Sequence, residues 1–304
     1  MHTTPSSPLQ SPSPTAAGER ALVLGGGGST GNAWLIGVIA GLFDAGLDVT
    51  TADLTVGTSA GATAAAQLAG ASPTELLAAT LAAAPPPRTG PAGARPVTDH
   101  LETFRRIIAA AEDHADMRRR MGAAALATAA ASDGSWPERW RAIVAARLPT
   151  RSWPQRRVLI TAVDARTGDP VVFDRDSGVD LVDAVAASTS GGGSPYRIGD
   201  GWYLDGGYRS NAENADLAAG HHRVLVLSPL GGRSLYPPEW GAQLAAQVDE
   251  LRARGSRVET VVPGSASDHL FGASAMDPSL RPAAARAGRD QGRALAEQLT
   301  QLWL

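Results

Sequence analysis

Apolar residues fall along the chain in two alternating patterns. Ala21–Leu24, Leu54–Val56, Val158–Val163, Val171–Phe173 and Val224–Leu227 are short, nearly continuous apolar runs bounded by turn residues. Such runs predict strands buried on both faces of a sheet. Trp202–Leu204 and Arg257–Val262 predict two further strands. Between them, Leu35, Val38, Ile39 and Leu42 recur at helical spacing, and Gly46 is placed to stop that helix. Ala62–Ala69 reads as a small-residue helix able to pack closely on a sheet, with further helices over Val179–Ala187, Pro238–Arg254 and Ser279–Leu304. The opening order of strand, turn, helix, strand, turn, helix implies parallel βαβ units. The fold class expected is a three-layer α/β/α domain around a mainly parallel central sheet.

Residues of about 85–154 break the pattern. Pro85-Pro86-Pro87 and Gly90-Pro91 interrupt it, and two helical stretches follow, near His100–Ala131 and Pro137–Leu148. This segment reads as a helical insertion over the sheet. Its Trp136, Trp140 and Trp153, near Arg139, Arg141 and Arg151, either pack the insertion onto the sheet or meet a lipid–water boundary as part of a lid. The first 20 residues are rich in Ser, Pro and Thr and lack both a basic start and an apolar core, which predicts a disordered tail rather than a signal peptide. Residues 21–304 are then expected to form a single domain. No run approaches the ~18–20 apolar residues of a membrane span, so no transmembrane segment and a cytoplasmic location are expected.

Composition narrows the chemistry. The 304 residues are 43% hydrophobic and 19% charged, a globular balance. There is no Cys and no Lys, so all 27 basic residues are Arg. This removes thiol nucleophiles, disulfides, Fe–S clusters and Cys-liganded zinc. It also removes Schiff-base chemistry and the lysine that P-loop NTPases and protein kinases require. A net charge of −3 offers no general basic surface for nucleic acid. No metal and no cofactor are expected, since no His and carboxylate set has a ligand spacing such as H-E-x-x-H. Arginine-only basicity with heavy use of Ala, Gly and Pro suggests a high-G+C bacterial genome.

Three motifs carry candidate chemistry. Gly25-Gly26-Gly27-Gly28-Ser29-Thr30-Gly31 lies between the first strand and its helix, where exposed N–H groups favour a phosphate or an oxyanion. Gly26, Gly28 and Gly31 also satisfy G-x-G-x-x-G, with Asp48 or Asp53 about 20 residues on, as in a dinucleotide fold. A sharp glycine turn without a ligand is the third reading. Gly57-Thr58-Ser59-Ala60-Gly61 is G-x-S-x-G between a strand and a helix, the setting of a nucleophile elbow. There Ser59 projects its hydroxyl and the Ala60 amide faces a developing oxyanion. Asp205-Gly206-Gly207 follows the Trp202–Leu204 strand, either placing a carboxylate near another loop or forming a surface turn.

Together these motifs resemble the patatin-like phospholipase family. Ile36-Gly37-Val38 and Asn214-Ala215-Asp216-Leu217-Ala218-Ala219-Gly220 extend the resemblance, which covers about 21–80 and 155–300. The family implies a lipid acyl hydrolase with a Ser–Asp dyad, no catalytic His and a lipid or other acyl-ester substrate; peripheral contact with a membrane surface is a separate possibility. Carried over, Ser59 is the nucleophile and Asp205 its base. The amides of Gly26, Gly27, Gly28 and Ala60 form the oxyanion hole, and Gly31, Gly57, Gly61, Gly206 and Gly207 support the motifs. Two departures stand out. Thr30 occupies a position where the family usually has Arg or Lys, and Ser190-Gly191-Gly192-Gly193-Ser194-Pro195 replaces a Pro-rich apolar run. A Ser59–Asp205–His269 triad is the alternative catalytic set, since His269 follows the last strand. Two other functions stay open: a nucleotide- or lipid-phosphate-binding protein using the glycine loop, and an acyltransferase using the same Ser59.

Overall fold

The structure, a computed structural model, describes residues 19–83 and 97–304. The expected tail lies outside the described residues apart from Glu19 and Arg20, as do Pro85–Pro87 and Gly90-Pro91. β1 (Arg20–Leu24) leads into α1 (Gly28–Asp44), β2 (Leu54–Gly57), α2 (Ala60–Leu68) and α3 (Pro73–Ala82). α4 (Val97–Ala110), α5 (His114–Ala130) and α6 (Trp136–Arg147) precede β3 (Arg157–Asp164). β4 (Pro170–Phe173), α7 (Leu181–Ser188), β5 (Tyr196–Ile198), β6 (Gly201–Asp205) and β7 (Arg223–Leu227) follow. α8 (Leu244–Ala253), β8 (Arg257–Val261) and α9 (Arg281–Trp303) close the described chain.

The strands form one sheet in the order β5-β6-β3-β2-β1-β7-β8, with β4 paired to β3 off that path. β3, β2, β1, β7 and β8 run parallel, while β4 and β6 are antiparallel to β3 and β5 to β6. The sheet is thus mostly parallel with an antiparallel edge. Successive side chains of a strand point to opposite faces, and β1 divides accordingly. Leu22 and Leu24 pack with residues of α1, α2, α7 and α9, whereas Ala21 and Val23 pack with α8 and the turn at Ala215–Ala218. α1 and α9 approach closely because glycines line their contact. A Cβ on Gly37 would overlap the Ala285 carbonyl, and one on Gly292 the Val38 carbonyl.

Local chemistry explains where the pattern misled. α3 was not anticipated because its Ala-rich sequence gives little apolar periodicity. Its start is nevertheless a capping box, with Ser72 Oγ accepting from Glu75 N–H and Glu75 Oε2 accepting from Ser72 N–H. The stretch read as one helix over 100–131 is two. Asp113 interrupts it and caps α5 by accepting from Asp116 N–H at 2.7 Å. The stretch 238–254 likewise breaks at Gly241, in the left-handed region at φ 63°, between a single turn of 3₁₀ helix and α8.

The helices between β2 and β3 divide between two packing regions. Met117, Met121 and Ala125 of α5 pack with Val163, Leu204, Tyr208 and Tyr236. α6 packs on α7 instead. Trp140 Nε1 donates to the carbonyl of Ala186 at 3.1 Å, Trp153 Nε1 to that of Val179 at 2.7 Å, and Trp136 stacks on Trp140. All three tryptophans pack against the core beside α7, and the indoles of Trp140 and Trp153 are hydrogen-bonded. Among the described residues, no helix is long and apolar enough to cross a membrane.

Candidate active site

The register of three adjacent strands sets the site. β3 lies between β2 and β6, with Gly57 opposite Ile160 on one side and Asp205 opposite Ala162 on the other. Residues leaving the ends of β2 and β6 therefore meet above β3. Beyond Gly57 the chain reverses sharply into α2, and Ser59 takes φ 53° and ψ −111°. That region disfavours a residue with a Cβ, so the elbow stores strain at Ser59. The turn is possible because the flanking glycines leave room. A Cβ on Gly57 would lie 2.7 Å from Ala62 Cα, and one on Gly61 would overlap the Leu24 carbonyl.

Ser59 Oγ donates to Asp205 Oδ2 at 2.8 Å, so the two residues singled out from separate motifs are in direct contact. Asp205 Oδ1 accepts from Gly207 N–H at 2.8 Å. Gly206 sits against β3 with no space for a side chain, since a Cβ would overlap Thr161. Burial pushes the Asp205 carboxyl up to about 6, although the hydrogen bonds from Gly207 and Ser59 hold it down. No hydrogen bond joins His269 to Ser59 or Asp205. It lies exposed in the 3₁₀ segment Ser265–Leu270.

The glycine loop runs beside the elbow, with a Cβ on Gly26 reaching 3.5 Å from Ser59 Cβ. One expected oxyanion donor is committed elsewhere: the Gly26 N–H donates to the Ala212 carbonyl at 2.7 Å. This strap from the Asp205-bearing segment anchors the loop, and it takes Gly26 out of the donor set. The amides of Gly27, Gly28 and Ala60 have no acceptor among the described residues, because they open α1 and α2 where no preceding helical turn exists to receive them. Gly31 donates its N–H to Gly27 at 3.0 Å and packs on Pro229. The acids that would mark a dinucleotide site have local roles instead. Asp48 accepts from Thr50 N–H, and Asp53 from Arg20 N–H. Among the described residues, no three His, Cys, Asp or Glu side chains are placed to hold a metal.

Several residues of the site gave no sequence signal. Ser188, wholly buried at the end of α7, accepts from Ser59 N–H at 2.9 Å through its Oγ. Asn214 Nδ2 donates to Thr58 Oγ1 at 3.0 Å and to the Gly206 carbonyl at 3.0 Å, tying the neighbours of Ser59 and Asp205 to one another. Thr58 Oγ1 lies 2.9 Å from Thr161 Oγ1 on β3. Glu213 is buried behind Gly25, where burial raises its carboxyl above the usual range and Ser228 Oγ donates to it at 2.6 Å. Of these, Thr58 and Asn214 stand in stretches that carry the resemblance. The others become visible only when distant segments converge.

Thr30 is fully buried, its N–H and hydroxyl directed at the Ala275 carbonyl at 3.0 and 3.5 Å. The positive charge that it lacks is present from another element. Arg281, at the start of α9, donates to the Ser29 carbonyl at 2.8 Å and to Asn32 Oδ1 at 3.0 Å.

A family model described as patatin-like phospholipase matches residues 22–216. Among solved structures, the chain is similar to VipD from Legionella pneumophila, at 14% identity and a TM-score of 0.45 over 93% of this chain and 68% of VipD. It is also similar to the type III effector protein ExoU, at 17% identity and a TM-score of 0.41 over 95% of this chain and 54% of ExoU. No curated protein matches it in sequence.

Proposed function

The chain belongs to the patatin-like phospholipase family, and on that footing we propose that it is a serine hydrolase of lipid acyl esters in which Ser59 is the nucleophile and Asp205 the general base. The observation that carries this reading is the 2.8 Å hydrogen bond from Ser59 Oγ to Asp205 Oδ2, made by a serine held at an elbow. Residues 21–304 act as one hydrolase unit, with 85–154 inserted into it.

The reaction runs in two halves. Ser59 Oγ attacks the ester carbonyl carbon as its proton passes to Asp205 Oδ2. The carbonyl oxygen becomes an oxyanion, held by the amides of Gly27, Gly28 and Ala60. As the carbon–oxygen bond to the alcohol breaks, Asp205 gives its proton to the departing alkoxide and the acyl group stays on Ser59. Water then attacks the acyl-enzyme and loses its proton to Asp205. Collapse of this second intermediate frees the fatty acid and returns the proton to Ser59 Oγ.

An ordinary aspartate is a weak base towards a serine hydroxyl. Two features reduce the mismatch. Burial raises Asp205 to about 6, so its proton affinity exceeds that of a solvated carboxylate. The donors opening α1 and α2 are fixed by the backbone before charge develops, and one such donor is worth about 2.7–4 kcal/mol. A fluorophosphonate probe tests the assignment. Peptide mapping is expected to find the adduct on Ser59, and no adduct in Ser59→Ala. A fully active Ser59→Ala variant would overturn it. Product analysis with an added alcohol separates hydrolysis from acyl transfer by the same serine.

A further inference from the structure

We infer that Gly191 is a specificity-determining residue of the proposed reaction: the space left by its missing side chain, beside Asp205 Oδ2, receives the alcohol portion of the ester and admits a bulky one. The inference rests on the hydrolase reading above and adds to it the place and the bulk of the leaving group.

Proton traffic fixes where the alcohol must lie. The two oxygens of Asp205 differ in their partners. Oδ1 accepts from Gly207 N–H at 2.8 Å, and Oδ2 accepts from Ser59 Oγ at 2.8 Å. Oδ2 therefore takes the proton of Ser59 and passes it to the departing alkoxide, whose oxygen has to come within hydrogen-bond reach of Oδ2. At the tetrahedral carbon one position belongs to Ser59 Oγ and one to the oxyanion, directed at the amides of Gly27, Gly28 and Ala60. Of the remaining two, the alcohol is the one turned towards Oδ2, and the acyl chain leaves in another direction. What borders Oδ2 thus limits the size of the alcohol.

Gly191 borders it. Apart from its chain neighbours, a Cβ built on Gly191 meets one described atom within 4 Å, Asp205 Oδ2 at 3.6 Å, and otherwise projects into open space. The next two residues, Gly192 and Gly193, also lack side chains, and both turn the chain through the left-handed region, at φ 72° and 81°. The opening stands on fixed supports. Ser190 is fully buried, with its hydroxyl 2.6 Å from the Ala187 carbonyl and 3.0 Å from the Tyr203 carbonyl, two residues before Asp205. Gly191 N–H donates to the Thr189 carbonyl at 2.9 Å. Beyond the glycines Pro195 and Tyr196 are buried, and Tyr196 Oη donates to Asp183 Oδ1 at 2.6 Å. The segment that carries Gly191 is thus tied to α7, which holds the Ser59 N–H, and to β6, which ends at Asp205.

The test uses hexanoate esters of two primary alcohols of similar acidity, ethanol and cyclohexylmethanol, hydrolysed by the full chain. Both esters form the same acyl-enzyme, so the ratio of their kcat/KM values reads the alcohol side alone. Wild type is expected to use the cyclohexylmethyl ester at least as well as the ethyl ester, and a wild-type preference for the ethyl ester overturns the inference. Gly191→Val is expected to lower the cyclohexylmethyl-to-ethyl ratio by about tenfold or more, and Gly191→Ala by less. The alanine variant keeps the fold, because φ at Gly191 lies outside the left-handed region and a Cβ 3.6 Å from Oδ2 is an ordinary contact. If Gly191→Val does not fold, the direction of the ratio in Gly191→Ala decides. Relative rates along ethyl butanoate, hexanoate and octanoate should keep their order in both variants. An unchanged alcohol ratio overturns the inference. So does an equal fall for both alcohols, which would put the added side chain against Asp205 rather than against the alcohol. A changed preference along the acyl series with a fixed alcohol ratio also overturns it, and puts the acyl chain over Gly191. Hydrolysis of no ester by the wild type overturns the hydrolase reading instead.

Discussion

The backbone N–H of Ser59 donates to the hydroxyl oxygen of Ser188 at 2.9 Å, so the end of α7 holds the strained residue of the elbow through its backbone while Asp205 holds its hydroxyl. Ser188→Ala leaves that N–H without an acceptor in a buried setting, which costs about 1–3 kcal/mol. Lower stability in denaturant unfolding is expected, with a fall in kcat larger than any change in KM. Unchanged kcat would mean that the elbow needs no such support.

Strain at Ser59 gives a second prediction. A residue with a Cβ at φ 53° and ψ −111° costs about 1–3 kcal/mol, and glycine escapes most of that cost. Ser59→Gly and Ser59→Ala should both lose activity, but the glycine variant should be more stable than the alanine one by about 1 kcal/mol. Thermal unfolding of the two variants side by side checks this.

Asp205 sets the pH behaviour. An acid whose pKa is higher in the folded than in the unfolded state binds more protons when folded, so stability falls as pH rises between the two values. For Asp205 these are about 6 and the usual 3.8. Its ionisation should therefore cost stability as pH climbs through that window, on the order of 2–3 kcal/mol in total. Activity runs the other way, with kcat/KM rising through pH 6 to a plateau as the base ionises. Asp205→Asn should remove this stability loss while lowering kcat by about 10²–10⁴. Unfolding curves and rate profiles over pH 4–8 test both halves.

Gly206 offers a steric test. A Cβ there would overlap the backbone and hydroxyl of Thr161, whereas Gly264 has open space around it. Gly206→Ala should lose about 1–3 kcal/mol and displace the carboxylate from Ser59. Gly264→Ala should leave both stability and activity near wild type.

The sequence by itself determined every strand except the short edge strand β5, most helices and the three motif loops. These follow from properties a segment carries alone, namely apolar runs, the small residues that a sharp turn requires and the order of strand, turn and helix. It also marked Ser59 and Asp205, because an elbow and an Asp-Gly-Gly turn are local signals. Tertiary structure decided what depends on residues far apart in the chain. The register across β3 brings Asp205 to Ser59. The Ala212 carbonyl takes the N–H of Gly26 from the loop's free donors. The end of α7 supplies Ser188, and Asn214 joins Thr58 to Gly206 across more than 140 residues of chain. The charge missing at Thr30 showed the limit most clearly. No pattern around Thr30 indicates that Arg281, some 250 positions later, reaches the Ser29 carbonyl. That placement follows from the close packing of α1 on α9, which depends on glycines of both helices.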